Sequence, residues 1–209
     1  TGAKRPDQAA DPIIVHPDVR KMLLTARAYA EGGRALAMWT TLQIDKELAS
    51  DDEDVRAECA DLVALITPIV KAFLTDNAWI ATSHCLQVFG GHGYIRETGA
   101  EQFVRDARIN MIYEGTNTIQ ALDLLGRKVL ADNGRKLKKF GKLVADFVDQ
   151  EGTNEAMQEF VNPLAELGDK SQLMALAFAS RYRAWTVLVA VTLATLLVHA
   201  GSVLVGSLF

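Results

Sequence analysis

Residues 17–48 read PDVRKMLLTARAYAEGGRALAMWTTLQIDKEL. Val19, Met22, Leu23, Ala26, Ala30, Gly33, Ala37, Thr40 or Thr41, Ile44 and Leu48 recur at three- and four-residue spacing. That spacing is one apolar stripe on a helix of about 30 residues. Pro17 suits a first helical turn, and Asp18 suits its positive end. Gly32-Gly33 costs roughly 2 kcal/mol of helix propensity, so close packing against another helix or a ligand is expected there. Downstream, Ser50-Asp51-Asp52-Glu53 has capping-box spacing and predicts a second helix. Val55, Cys59, Leu62, Ile66, Ile69 and Phe73 form its expected buried face. Pro68 removes one backbone bond and is expected to kink or split it. The pattern resumes through Trp79, Ile80, His84, Leu86 and Val88, and stops at Gly90-Gly91.

The rest of the chain is also helical in period. A short helix is predicted over Ala100–Arg108, and another opens near Asn117, capped by that side chain with Gln120 reaching back. It ends near Asn133-Gly134. A basic amphipathic helix follows over Arg135–Gln150, and Asp51 to Asp61 is its candidate acidic counterpart. Glu151-Gly152-Thr153-Asn154 reads as a turn, and a last helix runs to Gly168. No alternating run predicts a strand. The expected fold class is all-α: a four-helix up-and-down bundle with additional C-terminal helices. From Ala184 to Phe209 there are 26 residues without Asp, Glu, Lys or Arg. Such a stretch can span a bilayer or pack on all sides within a bundle. The second reading is preferred, so membrane contact through 184–209 is the less favoured alternative.

Composition excludes several classes. The net charge is −4 across 209 residues, which argues against a nucleic-acid binder. With 49% hydrophobic and 23% charged residues, the chain is not a disordered one. Two cysteines, Cys59 and Cys85, make no disulfide framework; buried free thiols are expected at both. Thr1 to Pro12 is polar, so no secretory signal is read there. Opening on Thr1 rather than Met, the chain is expected to be a processed product or a fragment. His16, His84, His92 and His199 are scattered, and no metal-ligand spacing occurs.

Three short motifs remain. Phe89-Gly90-Gly91-His92-Gly93-Tyr94 follows a helix rather than a strand, and Arg96 occupies the third glycine position of a dinucleotide loop. A helix-ending turn is the better reading, yet three glycines in four residues exceed what a cap needs, and exposed amides there could bond phosphate oxygens. Arg105-Asp106-Ala107-Arg108 reads as an ion-pair network holding the next loop. Ile112-Tyr113-Glu114-Gly115-Thr116-Asn117 sets a carboxylate among apolar neighbours. Partial burial would raise its pKa toward the range of a general base. Gly115 permits a turn or close approach. Taken on spacing alone, a loop glutamate satisfied by helix amides remains the plainer alternative.

The run Leu86 to Tyr94, then Arg105 to Arg108, then Ile112 to Asn117, resembles the C-terminal helical domain of the acyl-CoA dehydrogenases in order, gaps and residue types. His16-Pro17-Asp18-Val19-Arg20 with the long helix after it resembles the larger bacterial members, which carry an extra C-terminal helical region. The resemblance implies a linker at 1–12, the helical domain at 13–131 and the extra region at 132–209. It implies an FAD-dependent enzyme that oxidises an acyl-CoA thioester to the trans-2-enoyl-CoA. By resemblance Glu114 is the base that removes the α-proton, and Tyr113 and Gly115 lie against the substrate. Gln87, Gly90 and Gly91 match positions contacting the FAD of a neighbouring subunit; Thr116 and Thr118 match positions near its phosphates and adenosine. Arg105 and Asp106 match a structural pair beneath the loop.

The implied partners are acyl-CoA, further copies of the chain in a dimer or tetramer, and electron-transferring flavoprotein as acceptor. Nucleic acid and metal are not expected, and the implied location is the cytoplasm. The family's N-terminal helical and middle β domains, and a flavin-contacting arginine, have no counterpart here, so the chain alone is expected to be inactive. Two other readings stand beside this one. An acyl-CoA oxidase would use oxygen as acceptor, and a non-catalytic module would serve oligomerisation or membrane docking.

Overall fold

The computed structural model describes Lys4 and residues 8–165, and these are almost wholly helical with no strand among them. The predicted helix running on to Gly168, and the apolar stretch 184–209, fall wholly or partly outside the described residues. Two long helices dominate: α1, Pro17–Ala49, and α2, Glu53–Val88. At about 1.5 Å per residue each is on the order of 50 Å long. The three residues between them force an antiparallel hairpin. Its register shows in three cross-helix pairs. The Cys59 thiol donates to Gln43 Oε1 at 3.7 Å. The Tyr29 and Phe73 rings meet edge to face at 6.5 Å. A Cβ built on Gly33 would lie 2.7 Å from Leu74 Cδ2. Each pair is spaced nearly evenly about the turn, as antiparallel helices require. Gly33 is thus explained: a side chain there would force Leu74 out of its place against α1.

The core is the inner face of α2. Cys59, Leu62, Leu65, Ile66, Ile69 and Phe73 are buried, and Leu65 is only 1% exposed. Leu65 joins the predicted face, and Val55 leaves it, because the first turn of α2 projects beyond what α1 covers. α2 continues unbroken through Pro68, which is itself buried. The helix is not split, because packing on both sides of the missing bond outweighs its loss. The cap is also shifted. Asp52, not Ser50, accepts from the amides of Asp54 and Val55, while Ser50 Oγ accepts from the Asp52 amide. The outer side of α1 is uncovered, and Leu24, Met38, Leu42 and Leu48 are exposed. Cys85 is exposed as well, against expectation, since the last turns of α2 lack a partner over that face.

Two short helices lie against α2: α3, Ala100–Ile109, and α4, Asn117–Leu122. α4 continues into a π-helical segment, Asp123–Val129, and ends at Asn133 and Gly134, both left-handed. The basic helix α5 spans Arg135–Glu151. It is tied back to α2 at one point. Arg135 donates to both Asp61 oxygens, with Nη2 to Oδ1 at 2.7 Å, and Lys139 adds a third bond. The Arg135 guanidinium, seconded by Lys139, holds the Asp61 carboxyl down at about 2, well below its ordinary 3.8. The rest of the acidic stretch, Asp51 to Asp54, faces water. Among the described residues, no helix is long and apolar enough to cross a membrane.

Candidate active site

The loop from Met111 to Thr116 joins α3 to α4. Local bonds fold it: Ile112 and Tyr113 amides donate to the Ile109 carbonyl at 2.9 and 3.2 Å. The Asn117 amide returns to the Met111 carbonyl at 3.3 Å. Such a tight return needs left-handed residues, and two in succession supply it, Glu114 at φ 54° and Gly115 at φ 85°. For Gly115 that conformation is easy; for Glu114 it costs on the order of 1–2 kcal/mol. Outside contacts must hold it, and they come from α2. Lys71 Nζ donates to the Gly115 carbonyl at 2.7 Å and to Asn117 Oδ1 at 3.0 Å. Thr75 Oγ1 donates to Asn117 Oδ1 at 3.1 Å, and Asn117 Nδ2 donates to Asp76 Oδ1 at 2.7 Å.

The structure thereby corrects the expected cap of α4. Thr116 is the capping residue, its Oγ1 accepting from the Ile119 amide at 3.3 Å. The Asn117 side chain instead turns inward to bridge loop and α2. Gln120 does reach back, to the carbonyls of Glu114 and Gly115 at 3.5 and 3.4 Å.

Glu114 itself is exposed, contrary to the partial burial expected of it. Its neighbours Ile112 and Tyr113 are also about half exposed, so the apolar side chains beside it do not close over it. Its carboxylate has no hydrogen-bond or ion-pair partner among the described residues, and neither its amide nor that of Gly115 donates to any of them. The site therefore presents a free carboxylate and two free N–H groups on a fixed turn. Arg105 and Asp106 do not brace this loop. They pair within α3: Arg105 with Glu101 at 3.4 Å, and Asp106 with Gln102 at 2.7 Å. The next arginine, Arg108, stacks over the Trp79 ring at 5.9 Å, joining α3 to α2.

The second group of candidates lies elsewhere. Gln87 lies in the last turn of α2, and Gly90 to Tyr94 form a 3₁₀ turn after it. Each glycine there has a different reason. Gly90 is left-handed at φ 60°. Gly93 is buried, and a Cβ on it would strike the Leu86 carbonyl. Gly91 has neither constraint, with nothing within 4 Å of a built Cβ. This is the surplus glycine that the helix stop does not need. From Lys71 to Gln87 is 16 residues of α2, roughly 24 Å. Tyr113, Glu114, Gly115, Thr116 and Thr118 thus share one turn, and Gln87, Gly90 and Gly91 stand at another station of the same helix. One chain does not bring the two groups together. Between α2 and α3, before the loop, Trp79, Val104, Arg105, Arg108, Ile109 and Ile112 line a shallow open depression that includes none of the first group. Among the described residues, no group of three or more His, Cys, Asp or Glu stands together to hold a metal.

Sequence reasoning missed Lys71, Thr75 and Asp76. A signal was there: Lys71 is the lone charge between Leu62 and Thr75, and Thr75 follows it by one helical turn.

Comparison with known proteins covers two stretches of the chain. Residues 2–130 match the family model described as acyl-CoA dehydrogenase, C-terminal domain. Residues 159–209 match a different one, the divalent cation/proton antiporter GDT1. The 3-methylmercaptopropionyl-CoA dehydrogenase of Ruegeria pomeroyi is 52% identical over 139 residues, 66% of this chain and 23% of that protein. The broad-specificity linear acyl-CoA dehydrogenase FadE5 of Mycobacterium tuberculosis is 39% identical over 143 residues, again 23% of its length. The chain thus spans about a quarter of these relatives. In fold it is similar to Caenorhabditis elegans ACDH-11 solved with C11-CoA, at TM-score 0.75 and 23% identity, covering 92% of this chain and 32% of that one.

Proposed function

The chain belongs to the acyl-CoA dehydrogenase family through its C-terminal domain, and from that premise we propose that it carries the base of an FAD-dependent acyl-CoA dehydrogenase. Glu114 takes the α-proton of the acyl-CoA thioester. The observation that supports this most is the unpaired carboxylate on a turn held rigid from α2. A base already bonded to an arginine or an amide would be a poorer proton acceptor. Tyr113 and Gly115 line the thioester, and the free Glu114 amide is placed to donate to its carbonyl oxygen, stabilising the enolate-like charge that develops as the proton leaves. Exposure of Glu114 in this chain fits a site whose remaining walls come from the other three quarters of the enzyme.

FAD, when bound, supplies the acceptor for the β-hydride. The residues here suit a partial lining for it. Gly90 and Gly91 leave open space in which a flat ring or phosphate can approach the backbone. The Gln87 amide and the Thr116 and Thr118 hydroxyls offer hydrogen bonds. The distance along α2 between these groups favours a homo-oligomer, dimer or tetramer, in which Gln87, Gly90 and Gly91 serve a neighbouring subunit. On this reading 1–12 is a linker, 13–131 the catalytic-base domain and 132–209 an appended region. Electron-transferring flavoprotein is the acceptor, the enzyme works in the cytoplasm, and this chain alone is inactive.

In the whole enzyme, Glu114→Gln keeps the shape and removes the proton acceptor. We expect FAD to stay bound and acyl-CoA turnover to fall about 10²–10⁴-fold. Near-normal turnover would assign the base elsewhere.

One observation favours a second reading for the C-terminal part. The match of residues 159–209 to an antiporter family, together with the charge-free 26 residues from Ala184, supports membrane attachment of that end. Alkaline extraction of membranes carrying the chain tests it. Release into the supernatant would reject it.

A further inference from the structure

The turn that presents Glu114 is a left-handed one that the loop alone does not favour, and among the described residues its long-range polar anchors come from one short stretch of α2. Lys71 and Thr75 lie one helical turn apart on that helix, and Asp76 follows. All three reach Asn117, and Lys71 also holds the Gly115 carbonyl, immediately after Glu114. The partners are 41 to 46 residues apart in sequence, and the local bond to the same Gly115 carbonyl, from Gln120 Nε2, is longer at 3.4 Å and from a neutral donor. Lys71 is half-buried, and its ammonium is turned to a loop carbonyl and an amide oxygen rather than to a carboxylate. A bond from a charged donor is stronger than a neutral one and fixes the acceptor carbonyl more firmly. With the Gly115 carbonyl fixed, the peptide plane after Gly115 cannot rotate. With Asn117 fixed, the start of α4 cannot slide. Glu114 is then held on its C-terminal side at both of these points, while the Tyr113 amide bond to the Ile109 carbonyl holds the chain just before it.

We propose that Lys71, acting with Asn117, is a positioning residue that sets where the Glu114 carboxylate stands. The proposal rests on Glu114 being the base. Thr75 and Asp76 complete the clamp by orienting the Asn117 amide, which leaves its oxygen toward Lys71. Lys71 itself touches no reacting atom. Removing it lets the turn relax from the left-handed conformation, and a carboxylate displaced by about 1 Å costs on the order of a hundredfold in rate.

Amide exchange on the 209-residue chain tests the clamp without any cofactor, following fragments over 109–120 and 17–49 separately. Lys71→Met should speed exchange of the Tyr113, Asn117 and Ile119 amides roughly tenfold while α1 is unchanged. Lys71→Arg should keep most of the protection, and Asn117→Ala should behave as Lys71→Met does. Unchanged exchange over 109–120 overturns the proposal. So does faster exchange throughout α1 in both Lys71→Met and Asn117→Ala, which would make these residues supports of the whole fold. In the whole enzyme, Lys71→Met should lower kcat about tenfold to a hundredfold, with KM moving less than about threefold and Lys71→Arg restoring most of the loss. A change confined to KM overturns it. Full turnover in Glu114→Gln defeats the assignment of the base, whereas an inactive Glu114→Gln beside an unimpaired Lys71→Met defeats the clamp alone.

Discussion

The α1–α2 hairpin and the Met111–Thr116 turn are held by opposite means. The hairpin is closed by apolar contact along tens of residues, by a glycine that brings α1 against Leu74, and by a buried face centred on Leu65. The turn buries almost nothing, and its shape rests on a few polar bonds, local ones and those from α2. The comparison teaches that the scaffold and the chemistry fail differently: a change in the first spreads through the domain, and a change in the second stays local.

Changes in the two regions can break that contrast or sharpen it. The largest effect on stability belongs to the hairpin core. Leu65→Ala should destabilise the chain by about 2–5 kcal/mol in denaturant unfolding, because the site cannot collapse around the lost atoms. A loss under 1 kcal/mol would mean the hairpin is not the source of the stability. Next comes the glycine turn after α2, which contains both behaviours within four residues. Gly93→Ala should lower the thermal midpoint by several degrees, since its Cβ meets the Leu86 carbonyl. Gly91→Trp should leave helix content and midpoint unchanged but reduce FAD occupancy of the whole enzyme. Equal effects of the two on stability would remove the distinction drawn between them.

A smaller effect lies at the junction of α5 with α2. Asp61 has a lowered pKa in the folded state, near 2 against an ordinary 3.8. Its contribution is therefore complete above about pH 4 and is lost as the pH falls from there toward 2. Over that window α5 should loosen before the hairpin does, seen as faster exchange in 135–151. Asp61→Asn should remove that step and cost roughly 2–4 °C at pH 7. If the step persisted in the variant, the Arg135 and Lys139 bonds would not be what docks α5. The smallest effect belongs to Val55, exposed at the start of α2. Val55→Ala should change stability by no more than about 0.5 kcal/mol.

Much of the fold was legible in residue order. The stripe from Val19 and the face from Cys59 to Phe73 have helical spacing, and the Gly32-Gly33 pair foretold a close approach. Helix starts and stops were legible to within a few residues. Spacing points to Ser50 as the cap where the structure uses Asp52, because Ser50, Asp51 and Asp52 are all competent caps and only the path of the chain chooses among them. Pro68 was expected to interrupt α2, since a local rule cannot weigh the packing that carries the helix through. The burial of Val55 and Cys85 was overestimated for a related reason: apolar spacing marks a face but not whether another element covers it.

For the candidate site, the division is sharper. Residue order alone carries the chemistry on offer, a glutamate followed by glycine at the opening of a helix, and the family pattern that surrounds it. That information is local, carried by residue types within a few positions of one another. Packing in three dimensions turns Asn117 inward, brings Lys71 to the Gly115 carbonyl and sets Gln87 and Gly91 far along α2 from Glu114. Those facts depend on how a helix 40 residues away is laid beside the loop. Hydrogen bonds of that range are set by three-dimensional path, which spacing along the chain does not encode.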